Sequence, residues 1–485
     1  MNQLSKTFFT GRPEAALLSL PEKVLQFGTG VLLRGLPDYL ISKANNAGVF
    51  NGRVVVVKST DRGDTSAFDQ QENLYTIGVR GIENGIPVSE NVISTAISRV
   101  LSATSEWQKV LACATNPDLE IVISNTTEVG IQLVREKTEQ APPSSFPAKL
   151  LAVLHARYEA FSGDLSKGLI VIPTELLPEN GTLLQSIVLE LAHFNHLEPG
   201  FVEWLENACV FCNSLVDRIV PGHPSSDKAK DIFEELGYRD NLLIIAEPYC
   251  LWAIQGDEKV AAVLSFHQAN PQAVVITTDI NRFRERKLRL LNGTHTLSCG
   301  LAHLAGFVTV SEAMESADMS AFIEKLMFNE IALSIPYPLP AGDAETFGRQ
   351  VLDRFRNPFV EHHWLNITVQ FSAKMRMRNV PILLQHYRKN ETAPPLFALG
   401  FAAFLCFYRH PTHPVQDDRA AYFIRKWETS PPEDLIPDIL SDTGLWGTDL
   451  SVLPGFAQQV TTFVNGILEK GARQVLHDLI QKKAT

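Results

Sequence analysis

Residues 23–30 read Lys-Val-Leu-Gln-Phe-Gly-Thr-Gly, and Val31-Leu-Leu-Arg-Gly-Leu36 follows at once. A short apolar run, a glycine turn and a leucine-rich segment predict strand, tight turn and helix. Glycines at 28 and 30 let the backbone approach a pyrophosphate, while the helix start behind them presents N–H groups and the positive end of a dipole. Leu33 stands where a GxGxxG pattern has its third glycine, so the motif alone also suits an ordinary strand–helix turn. The residues expected to line a dinucleotide here are Gly28, Thr29, Gly30, Val31, Leu32 and Arg34.

Further along, Val54-Val-Val-Val57 ends at Lys58-Ser-Thr-Asp-Arg-Gly63. A β-branched run without alternation is the pattern of a parallel strand buried on both faces. Asp61, just past that strand, sits where an acid binds the adenosine ribose hydroxyls and repels a 2′-phosphate, which favours NAD over NADP. Glu120–Asn125, Gly168–Pro173, Leu242–Ala246 and Ala273–Thr278 repeat the strand pattern, with helical stretches such as Ala148–Tyr158 and Leu183–His193 between them. Asn125 and Thr126 close one of these strands, where the second half of the cofactor would lie. Strands alternating with helices predict an α/β Rossmann-type domain with a mainly parallel sheet over residues 1–280. From Arg282 onward the pattern changes to 3.6-residue periodicity: Lys287–Ala305, Met319–Leu333, Thr346–Phe355, Pro381–His386, Leu396–Phe407, Asp417–Trp427 and Phe456–Lys482. An all-α C-terminal domain over residues 281–485, bearing the substrate and the chemistry, is therefore expected.

Composition sets the limits. The chain has 485 residues, 45% of them apolar, and a net charge of −11 from 43 basic and 54 acidic side chains. That is an ordinary globular composition without the basic footprint of a nucleic-acid binder. The longest apolar run, Leu396–Tyr408, has 13 residues, short of the roughly 20 that a membrane helix needs. Residues Met1–Lys23 lack the apolar core of a signal peptide. Six thinly spread cysteines fit a reducing, cytoplasmic setting. Cys209-x-x-Cys212 lies in an apolar stretch and reads as buried thiols. His362-His363 and His410-x2-His413 are joined by no CxxC or HExxH, so no metal is expected. Neither GxSxG nor a P-loop is present.

The densest chemistry is Arg286-Lys-Leu-Arg-Leu-Leu-Asn-Gly-Thr-His-Thr296, where the two textures meet. Lys287, Asn292 and His295 are spaced K-x4-N-x2-H and on an α-helix span an arc of about 140°. A lysine can move a proton, an asparagine can donate to a developing alkoxide, and a histidine can orient a hydroxyl. On spacing alone the same residues also read as a solvated helix fringe and an Asn-Gly turn.

Taken together, Gly28-x-Gly30-x3-Arg34, Asp61-Arg62, Asn213-Ser-Leu-Val-Asp-Arg-Ile219, Glu247-Pro-Tyr249 and Lys287-x4-Asn292-x2-His295 resemble the polyol-specific long-chain dehydrogenases, the mannitol dehydrogenase family. The resemblance runs through nearly the whole chain in order. It implies a metal-independent, NAD-linked interconversion of a ketone and a secondary alcohol, with Lys287, Asn292 and His295 as the catalytic group. The segments 124–128, 173–181, 215–220 and 354–358 are most similar to the branch that reduces keto-acids derived from hexuronates. Two departures from mannitol dehydrogenases accompany this: Leu176 stands where they have a second oxyanion asparagine, and Asn366 where they have a substrate arginine. Lys374, eight residues on, is retained. Lys374-x-Arg376-x-Arg378 offers cations to a substrate carboxylate, with Lys374 and Arg376 as the expected contacts, and Asp217 could bind substrate hydroxyls. The expected partner is thus a small anionic sugar acid, with no nucleic acid and no membrane. A neutral polyol, the epimeric keto-acid and a non-catalytic NAD-binding regulator remain the alternatives.

Overall fold

The computed structural model describes residues 1–60, 64–126, 130–409, 411 and 414–482. They divide into two compact units, one of residues 1–80 and 88–280, the other of residues 81–87 and 281–485.

The strands run in chain order as β1 (Glu22–Phe27), β2 (Arg53–Lys58), β3 (Tyr75–Glu83), β4 (Ile86–Ser94), β5 (Ile97–Ser102) and β6 (Ile121–Ser124). They continue as β7 (Ile170–Pro173), β8 (Val210–Phe211), β9 (Ser214–Asp217), β10 (Ile244–Ala246), β11 (Leu251–Gln255) and β12 (Val274–Thr277). Six of them form one sheet in the order β5-β2-β1-β6-β7-β8, with every neighbouring pair parallel. The chain starts in the middle, builds outward through β2 and β5, then returns to add β6, β7 and β8 on the other side. This is the doubly wound dinucleotide-binding order, and its direction reverses between β1 and β6.

Consecutive strand residues supply opposite faces of this sheet. Val24, Val54, Val56, Ile121, Ile123, Ile170 and Ile172 enter one apolar core, with Tyr39, Leu40, Ile41 and Ala44 from the helix Pro37–Asn46 packed on them. Leu25, Phe27, Val55, Val57, Val122 and Val171 enter the other, under the helices Phe146–Ala160 and Asn180–Phe194. Both faces are covered, so no alternation survives in the sequence.

The runs at 242–246 and 273–278 do form strands but not in this sheet. β10 pairs with β3, and β12 pairs with β11, in two separate three-stranded sheets. Their local pattern is that of a buried strand; which sheet they join is set by distant partners. β5 and β8 complete the main sheet although neither reads as an apolar run, β5 because Ser98, Arg99 and Ser102 interrupt it and β8 because it has 2 residues.

The second unit is helical. Asn281–Arg286, Lys287–Gly293 and Thr294–Leu304 follow one another without a break, and the middle 7 residues are a π-helix. Pro395–Phe407 is buried along nearly its whole length and packs on Thr294–Leu304. The two helices close on each other through glycine: a Cβ on Gly400 would lie 2.6 Å from the Leu297 carbonyl oxygen, and one on Gly300 would lie 3.1 Å from the Ala403 backbone. Among the described residues no helix is long and apolar enough to cross a membrane. The periodic stretch 456–482 is two helices, Phe456–Lys470 and Ala472–Lys482, because Gly471 takes φ +83° between them.

Candidate active site

In the first unit, the turn after β1 holds Gly28 at φ +129°. A Cβ there would lie 2.9 Å from Leu33 Cδ1 and 3.0 Å from the Asn125 carbonyl oxygen. The Gly28 N–H donates to Val57 O (3.0 Å) and the Asn125 N–H to Phe27 O (3.1 Å), so this turn lies where β1, β2 and β6 end. Gly30 caps the short helix Val31–Gly35 without a side-chain capping hydrogen bond, and among the described residues a Cβ at Gly30 would meet nothing within 4 Å. A glycine turn followed by a helix start that has no side-chain cap, at the reversal of strand order, fits a dinucleotide pyrophosphate. Thr29, Val31 and Leu32 are partly exposed beside it. Gly28→Ala should destabilise the turn and weaken NADH binding roughly tenfold or more, since the φ and both contacts disfavour a methyl group; fluorescence titration with NADH checks this.

The Arg34 side chain points elsewhere. It is buried, its Nη1 donates to Leu242 O (2.7 Å), and its guanidinium lies 5.4 Å from the Tyr75 ring and 5.7 Å from Phe68. Burial lowers its pKa, and its role in the structure is to brace this turn from inside rather than to face a phosphate. Asn125 and Thr126 are locked to the end of β7. Asn125 Nδ2 donates to Thr174 O (3.2 Å) and Oγ1 (3.0 Å), and the Thr126 N–H and Oγ1 donate to Glu175 Oε1 at 2.7 and 2.9 Å. Ser124 Oγ donates to the other oxygen of this buried carboxylate (3.2 Å). Sequence reasoning missed Glu175 as the group organising this strand end; an acid two residues past an apolar run was the available signal. Asp61 lies outside the described residues, as do His410 and His413. Asp217 ends β9, buried and in register with Leu251, while its neighbour Arg218 donates to Glu247 O (2.9 Å) and Gly35 O (2.6 Å).

In the second unit, the π geometry changes the reading of the Lys287 motif. On an α-helix Lys287 and Asn292 would be splayed by the about 140° derived above. A turn closed by i→i+5 bonds brings residues five apart nearly one above the other. Both are half-buried. The cations beside Lys287 are each tied to an acid, Arg286 to Asp343 (2.6 Å) and Arg289 to Glu285 (2.9 Å). Among the described residues the Asn292 carboxamide has no hydrogen-bond partner, while its backbone oxygen accepts from Thr296 Oγ1 (2.8 Å).

His295 is buried with its ring stacked on Phe355 (centroids 4.0 Å apart, 5° between planes) and edge-on to His362 at 5.2 Å and Trp364 at 6.0 Å. Burial, reinforced by the charges of His362, Arg378, Arg354 and Lys374, holds its pKa well below the usual histidine range, so the imidazole is neutral. Its Nε2 is enclosed and has no partner among the described residues.

A second π-helix, Met375–Asn379, is pinned to the first. Arg289 Nη1 donates to Met377 O and Arg378 O at 2.8 Å each, and Asn379 Nδ2 donates to Gly293 O (3.2 Å). Lys374 directly precedes this turn, its Nζ donating to Ile367 O (3.0 Å). Arg378 Nη1 donates to Thr296 Oγ1 (3.1 Å). Arg376 is exposed and reaches toward Gly444 O (3.4 Å). Lys374 and Arg378, not Arg376, therefore gather with His295. Leu176 and Asn366, the positions that depart from mannitol dehydrogenases, are both exposed. Phe355, His362 and Trp364 around the imidazole were not legible as a group, since they reach His295 from separate segments.

The chain matches the family model of the mannitol dehydrogenase Rossmann domain over residues 22–267 and that of the mannitol dehydrogenase C-terminal domain over 279–468. It is 38% identical over 475 residues to altronate oxidoreductase of Shigella flexneri, covering 95% of this chain and 97% of that one. Against altronate oxidoreductase of Bacillus subtilis the identity is 36% over 461 residues, 94% of this chain and 95% of the other. Among solved structures, the Pseudomonas fluorescens mannitol 2-dehydrogenase ternary complex with NAD and D-mannitol superposes with TM-score 0.68 at 21% identity, covering 99% of this chain and 100% of that one. A substrate-free D-sorbitol dehydrogenase reaches TM-score 0.76 at 20% identity over 95% and 96% of the two chains. At those identities the structures share the fold. Two family models in chain order and near-full-length relatives lead to one conclusion: the chain belongs to the mannitol dehydrogenase family.

Proposed function

We propose that this protein is an NAD-dependent oxidoreductase that interconverts a hexuronate-derived keto-acid and its aldonate, most specifically tagaturonate with NADH and a proton to altronate and NAD. The observation that carries the reading is the 38% identity to altronate oxidoreductase along 95% of the chain. Lys374 and Arg378, grouped with His295, support it by offering positive charge to a carboxylate. In this reading residues 1–280 hold the dinucleotide and residues 281–485 hold the sugar acid and the catalytic group.

Bound NADH supplies the hydride for the carbonyl carbon. The carbonyl oxygen then gains negative charge, and the unpartnered Asn292 carboxamide donates to it. Lys287 delivers the proton that completes the hydroxyl, and in the reverse direction takes it back. Neutral His295 hydrogen-bonds the same oxygen or an adjacent hydroxyl and fixes its orientation. The small anionic sugar acid is the partner proposed. A cytoplasmic setting accords with six cysteines, none in a disulfide.

The test is reduction of NAD by the pure protein with altronate, mannonate or mannitol. Turnover with altronate well above the other two supports the proposal; turnover with mannitol alone refutes it, and a preference for mannonate moves it to the epimeric keto-acid. The reverse assay, oxidation of NADH or NADPH with tagaturonate, checks Asp61. Wild type should use NADH far better than NADPH, and Asp61→Ala should erode that preference by roughly tenfold, through loss of the ribose contact and of the repulsion of a 2′-phosphate. Equal use of both cofactors by wild type would remove Asp61 from the cofactor site.

A further inference from the structure

We infer that Arg378 selects a carboxylate-bearing substrate, its guanidinium taking the sugar acid's carboxylate beside Lys374. This rests on the keto-acid reading and deepens it. Three other arginines of this unit are paired with acids: Arg286 with Asp343, Arg289 with Glu285 and Arg349 with Glu324. Among the described residues neither Arg378 nor Lys374 has a carboxylate within ion-pairing distance, although both are half-buried; burial and the Arg378 charge lower the Lys374 pKa, against a smaller opposing pull from Asp417. Two neighbouring cations withdrawn from water without a counter-ion are costly, and an anionic ligand removes that cost.

The hydrogen bonding of Arg378 points the same way. Nη1 is spent on Thr296 Oγ1 (3.1 Å), which fixes the plane of the guanidinium. Nε is enclosed and has no partner, and no bond is made by Nη2 among the described residues, so the guanidinium keeps unspent donors that a carboxylate can satisfy. The brace is not arbitrary, because the same Thr296 hydroxyl donates to the Asn292 carbonyl oxygen (2.8 Å). One side chain thereby ties the carboxylate-binding cation to the residue that would steady the reacting oxygen. Enclosed and unpartnered His295 Nε2 on the same helix marks the surroundings as a place for a polar ligand. Arg376, two residues earlier, is exposed and bonded toward Gly444, so it makes no comparable offer.

The experiment compares Arg378→Met and Arg378→Lys with wild type on tagaturonate, reading KM and kcat separately, with NADH affinity and Tm measured alongside. Arg378→Met should lower kcat/KM roughly a hundredfold, mostly as a rise in KM, with NADH affinity unchanged. Arg378→Lys should lose about tenfold, keeping the charge but not the fork. If Arg378→Met does not fold, Arg378→Lys alone decides by its rise in KM at near-constant kcat. A tagaturonate KM within threefold of wild type in either variant, or a loss confined to kcat, overturns the assignment. Wild type inactive on both tagaturonate and fructuronate would instead overturn the keto-acid reading on which it stands.

Discussion

Replacing Lys287 with alanine is expected to lower kcat by about 10²–10⁴-fold, the range a positioned acid–base group contributes. Lys287 opens the π turn of the 281–304 helix, and i→i+5 closure brings it closer to Asn292 around the axis than an α turn would. Its cationic neighbours are tied to Asp343 and Glu285, which keeps them from competing for the substrate. NADH affinity should stay close to that of wild type, because the glycine cradle belongs to the other unit. A small external amine should restore part of the lost rate by supplying the missing proton donor. Wild-type kcat in the alanine variant, with chemistry rate-limiting, would reduce Lys287 to a helix-surface residue.

Asn292→Ala should cost about 10²–10³-fold in kcat, the usual loss when one donor to a developing oxyanion is removed. Its carboxamide has no partner among the described residues, so removing it breaks no bond within the fold. The backbone oxygen that Thr296 Oγ1 engages is retained in alanine. Tm should therefore be nearly unchanged while the rate falls, and Asn292→Asp should be worse still, since a carboxylate would repel the forming negative charge. An equal fall in Tm and rate would show that Asn292 serves packing. Single-turnover rates with NADH and thermal melts on the same samples separate the two outcomes.

The sequence made the centre of the first unit readable because valine and isoleucine at 54–57, 121–123 and 170–172 feed two cores at once, leaving an unbroken apolar run. The same local pattern at 244–246 and 274–277 gave strands but not their sheet, since β10 and β12 answer to partners distant in the chain. In the second unit, 3.6-residue periodicity placed the helices but hid what matters at the site. A π turn inserts one residue into a turn without changing which residues are apolar, so nothing in the pattern revealed it at 287–293 or 375–379. That is why the sequence points to Arg376 beside Lys374, whereas the second π turn turns Arg378 toward Thr296 and leaves Arg376 exposed. The neutrality of His295 was equally hidden, since Phe355, His362 and Trp364 enclose it from separate segments.

The most direct test of the central claim is NADH oxidation by the purified protein, measured as kcat/KM for tagaturonate, fructuronate, fructose and tagatose under one set of conditions. Tagaturonate should be reduced best, with the two neutral ketoses at least roughly a hundredfold behind, the cost of leaving the half-buried Lys374 and Arg378 without their carboxylate. Reduction of fructose or tagatose as efficient as that of either keto-acid would contradict it.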